Sequence, residues 1–176
     1  MQYLLKVTLE DAELWRLLAV DGRADLAFLG ELMALAFGYP KGERSFEYGG
    51  KLYKAGISGQ LQSKAEVLTF DSLNIEAEAE FTYYVGAGET LPHKVSVMKK
   101  VDKLDCLMPS CLFGSGSLPE GELTLKSIKE HLDSIEENRL DMREATTRMR
   151  TYGSFRTGSE DIMSLAGADP ISFKVQ

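Results

Sequence analysis

The residues best suited to chemistry are Glu89 and His93, within the stretch 81–97, FTYYVGAGETLPHKVSV. A strand-like run breaks at Gly86-Ala87-Gly88 and a second strand is expected just after His93, which sets both side chains at one turn. Across such a turn the carboxylate can orient the imidazole, making His93 an acid, a base or a metal ligand. The alternative is a hairpin turn whose polar residues face water. Two ligands do not make a metal site, and no third is evident beside them.

Other chemistry-bearing groups complete no motif. Cys106 and Cys111 are separated by Leu107-Met108-Pro109-Ser110, and no histidine lies nearby to fill a zinc shell. Two free thiols in or near the core suit a reducing compartment, with a disulfide as the alternative. No cofactor is called for. Zinc or another transition metal is the alternative, with His93, Glu89, Cys106 and Cys111 as available ligands and Glu47 as a further acid. Gly86-x-Gly88 lacks the third glycine and the helix start of a phosphate loop. Gly114-Ser115-Gly116-Ser117 reads as a flexible loop, with no nucleophile elbow. Trp15 is expected as a core anchor and His131, beside Glu130 and Asp133, as part of a solvated face. Arg139, Arg143, Arg148, Arg150 and Arg156 against Asp141 and Glu144 leave a local charge of +3, a possible partner surface. It has no interleaved aromatics of the kind that read nucleic acid.

The elements that must position these groups belong to a chain of ordinary globular composition, 176 residues with 44% hydrophobic and 27% charged side chains. A net charge of −7 repels phosphate backbones and anionic membranes, which disfavours nucleic acid as a partner except through a local basic patch. No apolar run reaches the roughly 20 residues of a spanning helix, and the first residues lack a signal-peptide pattern, so a cytoplasmic protein is expected.

Residues 2–9, QYLLKVTL, and 14–20, LWRLLAV, read as a hairpin joined by Glu10-Asp11-Ala12-Glu13. Asp25 stands where an N-cap would, Phe28, Leu29, Leu32, Met33 and Ala36 follow at helical spacing, and Gly38 with Pro40 ends the helix. Residues 45–48 and 51–53 flank Gly49-Gly50 as a short hairpin. An exposed loop at 55–66, one helical turn at 69–73 and strands at 79–85 and 94–101 follow. A charged helix from about 124 to 150, broken near Asn138, and an irregular tail complete the chain. Three segments result: an α+β domain at 1–121, a long helix at 122–150 packed on or extending from it, and the tail at 151–176.

The order strand, strand, helix, strand, helical turn, strand resembles a β-grasp, a mixed sheet crossed by one helix. MQYLLKVTL, SFEYGGKLY and LTFDSLNIEAEAEFTYYV look like the opening strand, Gly-Lys hairpin and final strand pair of ubiquitin-like chains. A terminal Gly-Gly is absent, so conjugation is not implied.

A closer likeness spans residues 1–121. YLLKVTL at 3–9, Leu14-Trp15-Arg16, Leu29 through Phe37-Gly38-Tyr39, Phe46 with Gly49, Phe81-Thr82-Tyr83, and Cys111-Leu112 with Gly114 and Pro119-Glu120 resemble the plasmid pRiA4b ORF-3-like family. There the fifth block usually reads Tyr-Asp-Phe-Gly-Asp-x-Trp-x-His, and Gly86, Ala87, Gly88, Glu89, Leu91 and His93 stand at its Asp, Phe, Gly, second Asp, Trp and His. Only Gly88 and His93 are kept, Glu89 preserves a carboxylate, and residues 43–47 hold no histidine. The resemblance implies a bacterial or archaeal protein associated with plasmids and mobile elements. With the polar cluster eroded, the expected function is a non-enzymatic protein-binding module. The alternatives are a metal-dependent enzyme or metal-binding protein using Glu89 and His93 with Glu47 or Cys111, and a nucleic-acid accessory protein.

Overall fold

Burial alternates residue by residue along the first strand, β1 (Gln2–Leu9): Tyr3, Leu5, Val7 and Leu9 are buried, while Gln2, Leu4, Lys6 and Thr8 are half-buried. That period of two makes one face of a sheet the core and leaves the other to solvent. Six further strands join it: β2 (Trp15–Asp21), β3 (Arg44–Tyr48), β4 (Lys51–Ala55), β5 (Glu80–Ala87), β6 (Glu89–Val101) and β7 (Ser110–Ser115). Their order is β4-β3-β5-β6-β1-β2-β7. The computed structural model describes residues 1–55, 68–134 and 140–165, with side chains through Ser154; the loop expected at 55–66 lies almost wholly outside them.

The architecture is α+β, but the sheet is not the mixed one expected of a β-grasp. Every strand ladder among the described residues is antiparallel. A parallel neighbour for β1 would need a crossover connection. Instead β6 arrives as the second arm of the β5–β6 hairpin and runs against β1, with Val7 opposite Val95.

The helix expected after the first hairpin is α1 (Leu26–Phe37). Asp25 Oδ1 accepts from the Phe28 amide at 2.7 Å, satisfying one of the free donors of the first turn. Gly38 closes the helix in the left-handed region at φ 89°, its N–H bonded back to the Ala34 and Leu35 carbonyls. Thr69 caps a single 3-10 turn, Phe70–Leu73.

The C-terminal part departs from expectation in one way, the reach of its last helix. The expected long helix with its break near Asn138 is two helices on either side of that residue, α2 (Leu125–Ser134) and α3 (Met142–Leu165), and Asp141 starts the second by accepting from the Arg143 and Glu144 amides. The tail is not irregular from 151, since α3 continues to Leu165 through Gly153 and Gly158. A helical glycine costs about 1 kcal/mol, and the buried anchors Ala145 and Met149 outweigh it. Ile128, Ala145 and Met149 join the same buried cluster as the strands and α1, so segments 1–121 and 122–150 share a core.

The presumed flexible loop at 114–117 is half strand: β7 pairs with β2, Gly114 opposite Arg16 and Ser115 opposite Trp15. A side chain at Gly114 would bring its Cβ to 2.6 Å from the Trp15 carbonyl oxygen, so the missing Cβ serves close strand approach rather than flexibility. Among the described residues no helix is long and apolar enough to cross a membrane.

Candidate functional site

Glu89 and His93 do not share a turn. β5 and β6 meet at Gly88, φ 99°, with Ala87 opposite Glu89, so β6 begins at Glu89 and His93 lies well inside it. Leu91, His93, Val95 and Val97 then all point into the core. His93 Nδ1 is 3.0 Å from the Leu91 carbonyl oxygen, and Nε2 is 3.1 Å from the Tyr39 hydroxyl. A carbonyl can only accept, so Nδ1 carries the proton; Nε2 then accepts from Tyr39 O–H in the neutral ring. Burial pushes the His93 pKa down to about 4, with the Leu91 and Tyr83 backbone opposing and Arg44 adding to the fall. Burial raises the Tyr39 and Tyr83 hydroxyls. Phe37, Tyr39 and Tyr83 ring the imidazole at centroid distances of 5.3, 5.4 and 5.7 Å. Both nitrogens are engaged and the ring has no exposed surface, so this imidazole locks strand to helix end and has no face to offer a substrate.

Glu89 acts elsewhere. Its Oε1 accepts from the Leu125 amide at the start of α2, where a carboxylate satisfies a free donor and meets the positive end of the helix dipole. Glu47 accepts from the Tyr84 hydroxyl on the outside of the sheet. Cys106 and Cys111 are both free thiols; Cys111 is buried on β7, and burial raises its pKa. Among the described residues no three His, Cys, Asp or Glu side chains converge as metal ligands. His131 is half-buried and faces the Ser117 hydroxyl at 3.1 Å, not Glu130 or Asp133.

The arginine segment is mostly an internal clamp. Arg148 Nε donates to the Leu35 carbonyl at 2.8 Å and Nη1 pairs with Glu144 at 2.6 Å. Arg150 donates to the Pro109 carbonyl and the Ser110 hydroxyl. Their donors are engaged at the last turn of α1 and the start of β7, which leaves both side chains half-buried. Arg143 is exposed, while Arg139 and the Arg156 side chain lie outside the described residues.

Two buried arginines were not singled out from the sequence. Arg16 donates to the Ala36, Trp15, Ser115 and Gly116 carbonyls at 3.1, 2.8, 2.7 and 2.8 Å, with its guanidinium carbon 4.7 Å above the Phe37 ring. Burial lowers its pKa to about 10, leaving it cationic at neutral pH. Arg44 donates to the Pro40 and Glu43 carbonyls, and its Nε lies 3.1 Å from Glu31 Oε1 but off the hydrogen-bonding axis. Burial raises the Glu31 pKa and Arg44 opposes it. The available signal was parity: Arg16 alternates in phase with Leu14 and Leu18, and Arg44 with Phe46.

The same parity turns Trp15 outward. It is half-buried on the solvent side of β2, with Lys6 Nζ 5.0 Å from its ring, while its neighbours Leu14 and Arg16 fill the core. Register builds the rest of that face in rows. One row runs Phe113, Leu17, Lys6, Ser96, Glu80, and the next runs Ser115, Trp15, Thr8, Lys94, Thr82. Leu4 lies between Ala19 and Lys99 one row further on. Phe113 is 60% exposed. Apolar side chains therefore collect on β7, β2 and the start of β1, and lysines line β1 and β6.

Fold and site together define an α+β protein with an antiparallel sheet that, among the described residues, is covered by helices on one face and open on the other, its histidine sealed inside. No protein-family profile and no curated protein matches the chain. A solved structure of similar fold is the protein of unknown function MM3350 from Methanosarcina mazei Go1, at a TM-score of 0.56 and 19% identity over 81% of this chain and 95% of that one. At that identity the likeness speaks to the fold alone.

Proposed function

We propose that this chain is a non-enzymatic, cytoplasmic protein-binding module that works through the open face of its sheet. The observation that carries the proposal is the row order that sets the exposed Phe113 beside the half-buried Leu17, Trp15 and Leu4 on the solvent side of the sheet. A contiguous, partly exposed apolar patch of this kind marks interaction sites on soluble proteins. The polar groups with catalytic potential are spent: His93 on Tyr39 and Leu91, Glu89 on the start of α2. Two free thiols suit a reducing compartment.

Membership of the pRiA4b ORF-3-like family belongs to the same proposal. The blocks behind that resemblance fall on the central strand β1, on α1 and Tyr39, and on β5, which are scaffold, so it bears on architecture before activity. On this basis the chain serves a bacterial or archaeal system as an accessory protein.

The test is capture from a host lysate by purified protein and two single variants. Phe113→Ser changes an exposed side chain and should alter stability by less than about 0.5 kcal/mol. Wild type and Glu89→Gln should recover the same partner and Phe113→Ser should not. Loss of capture in Glu89→Gln, or its retention in Phe113→Ser, would overturn the proposal.

A further inference from the structure

The open face carries more than apolar surface. Lys6, Lys94 and Lys99 stand along β1 and β6 beside the apolar side chains of β2 and β7. Of the nearby acids, Glu80 pairs with Lys94 at 2.8 Å and Glu47 accepts from Tyr84, while Glu10, Asp11 and Glu13 border the Thr8 and Lys94 end of the strip, away from Lys99. Lys6 and Lys99 form no ion pair among the described residues. Both lie on a chain of net charge −7, so they form a local reversal of the overall field. A second copy would bring −7 against −7, and a nucleic acid would meet the same repulsion over its length.

Geometry limits the form of the occupant. A strand lying on a sheet face would leave its own backbone donors and acceptors unpaired, whereas a helix satisfies them internally. The β7 edge is also closed to strand addition, because Thr146 Oγ1 accepts from the Cys111 amide at 3.0 Å and donates to the Cys111 carbonyl at 3.3 Å. From β2 to β6 is two strand spacings, about 10 Å, which matches the width of one helix.

Resting on the docking face proposed above, we infer that its occupant is an amphipathic helix of a partner protein, apolar along the side that meets Trp15, Leu17 and Phe113 and acidic along the flank above Lys6 and Lys99. The carboxylates would pair with the lysines, whose stems already lie along apolar surface.

Trp15 is the only tryptophan in the chain, so its emission reports on this face directly. The probe is a tryptophan-free, helix-forming 18-residue peptide with a leucine stripe and a glutamate flank. Its counterpart carries lysine in place of glutamate, and an oligothymidine serves as the nucleic-acid control. The glutamate peptide should shift Trp15 emission to the blue, saturably, and more weakly as salt rises. Lys6→Glu/Lys99→Glu should weaken it at least tenfold, and Phe113→Ser should remove the response. Equal binding of both peptides, with loss in Phe113→Ser, would overturn the acidic partner and leave the docking face standing. Silence towards both peptides would also overturn the inference, and the face itself falls only if Phe113→Ser still captures the lysate partner. Tighter binding of oligothymidine than of the glutamate peptide would replace the helix with a single-stranded nucleic acid.

Discussion

Replacing Arg16 with methionine keeps an unbranched apolar stem and removes the guanidinium with every donor. In the native protein the guanidinium reaches four carbonyls from three places: Trp15 in β2, Ser115 and Gly116 at the end of β7, and Ala36 in the last turn of α1. Hydrogen bonds to a charged group are worth about 1.5–3 kcal/mol each, but the cost of burying the charge offsets much of that sum. What does not cancel is the penalty on the carbonyls left behind, about 1–3 kcal/mol for each buried acceptor with no other partner. The Gly116 and Ala36 contacts are the best shielded, and Ala36 keeps only a long approach from Arg148 Nη2 at 3.4 Å, so breaking this buried charged network in Arg16→Met should lose about 3–5 kcal/mol. With a urea slope of about 2 kcal/mol/M, the unfolding midpoint should fall by about 2 M. Arg16→Lys keeps the charge on one short-reaching ammonium that cannot span four acceptors, and should recover no more than about half of the loss. Urea titrations followed by far-ultraviolet circular dichroism measure all three proteins. A loss below about 1 kcal/mol in Arg16→Met, or full recovery in Arg16→Lys, would refute the clamp.

Two further outcomes are expected. The native His93 pKa lies near 4 against about 6.5 in the unfolded chain, so above pH 6.5 neither state gains a proton there. Between pH 6.5 and 4 the unfolded chain takes a proton that the native state refuses, and about 3 kcal/mol of stability is lost across that window. His93→Gln should be less stable at neutral pH yet flatter between pH 6.5 and 4.5, and an unchanged acid slope would show that His93 does not titrate as described. Thr146→Val removes the hydroxyl that serves both Cys111 backbone groups, so it should cost about 1–2 kcal/mol and promote association through the β7 edge. Equilibrium unfolding with light scattering would check it, and a stable, monomeric variant would count against the seal.

Local signals in the sequence led to most of the fold. Asp25 and Gly38 bound α1, Gly49-Gly50 turns β3 into β4, and Thr69 caps the short turn, all by interactions a few residues long. The strand partnership of β1 with β6, across roughly ninety residues, leaves no local mark, and element order alone suggested a mixed sheet. The site was misread for a related reason. The second strand was expected only after His93, but β6 begins at Glu89: Pro92 sits opposite Tyr84, its carbonyl accepts from the Glu10 amide, and the alternation through Leu91, His93 and Val95 passes over it. Arg148 and Arg150 were counted as surface charge because carbonyls of α1 and the β7 approach, which consume them, are invisible to spacing. Gly114 read as flexibility because a residue without a side chain looks alike in a loop and in a tight strand pair.

The central place of β1 has a consequence for how the chain is made. Its first neighbour, β2, emerges within a dozen residues, but its second, β6, is not complete until Val101. At about 5–20 residues per second, the ribosome takes roughly 5–18 s to deliver it. For that interval the middle of the future sheet is a raw edge on a nascent hairpin, with Leu5, Val7 and Leu9 uncovered. Lys6, in the middle of that strand, is the one charge guarding it against other nascent chains.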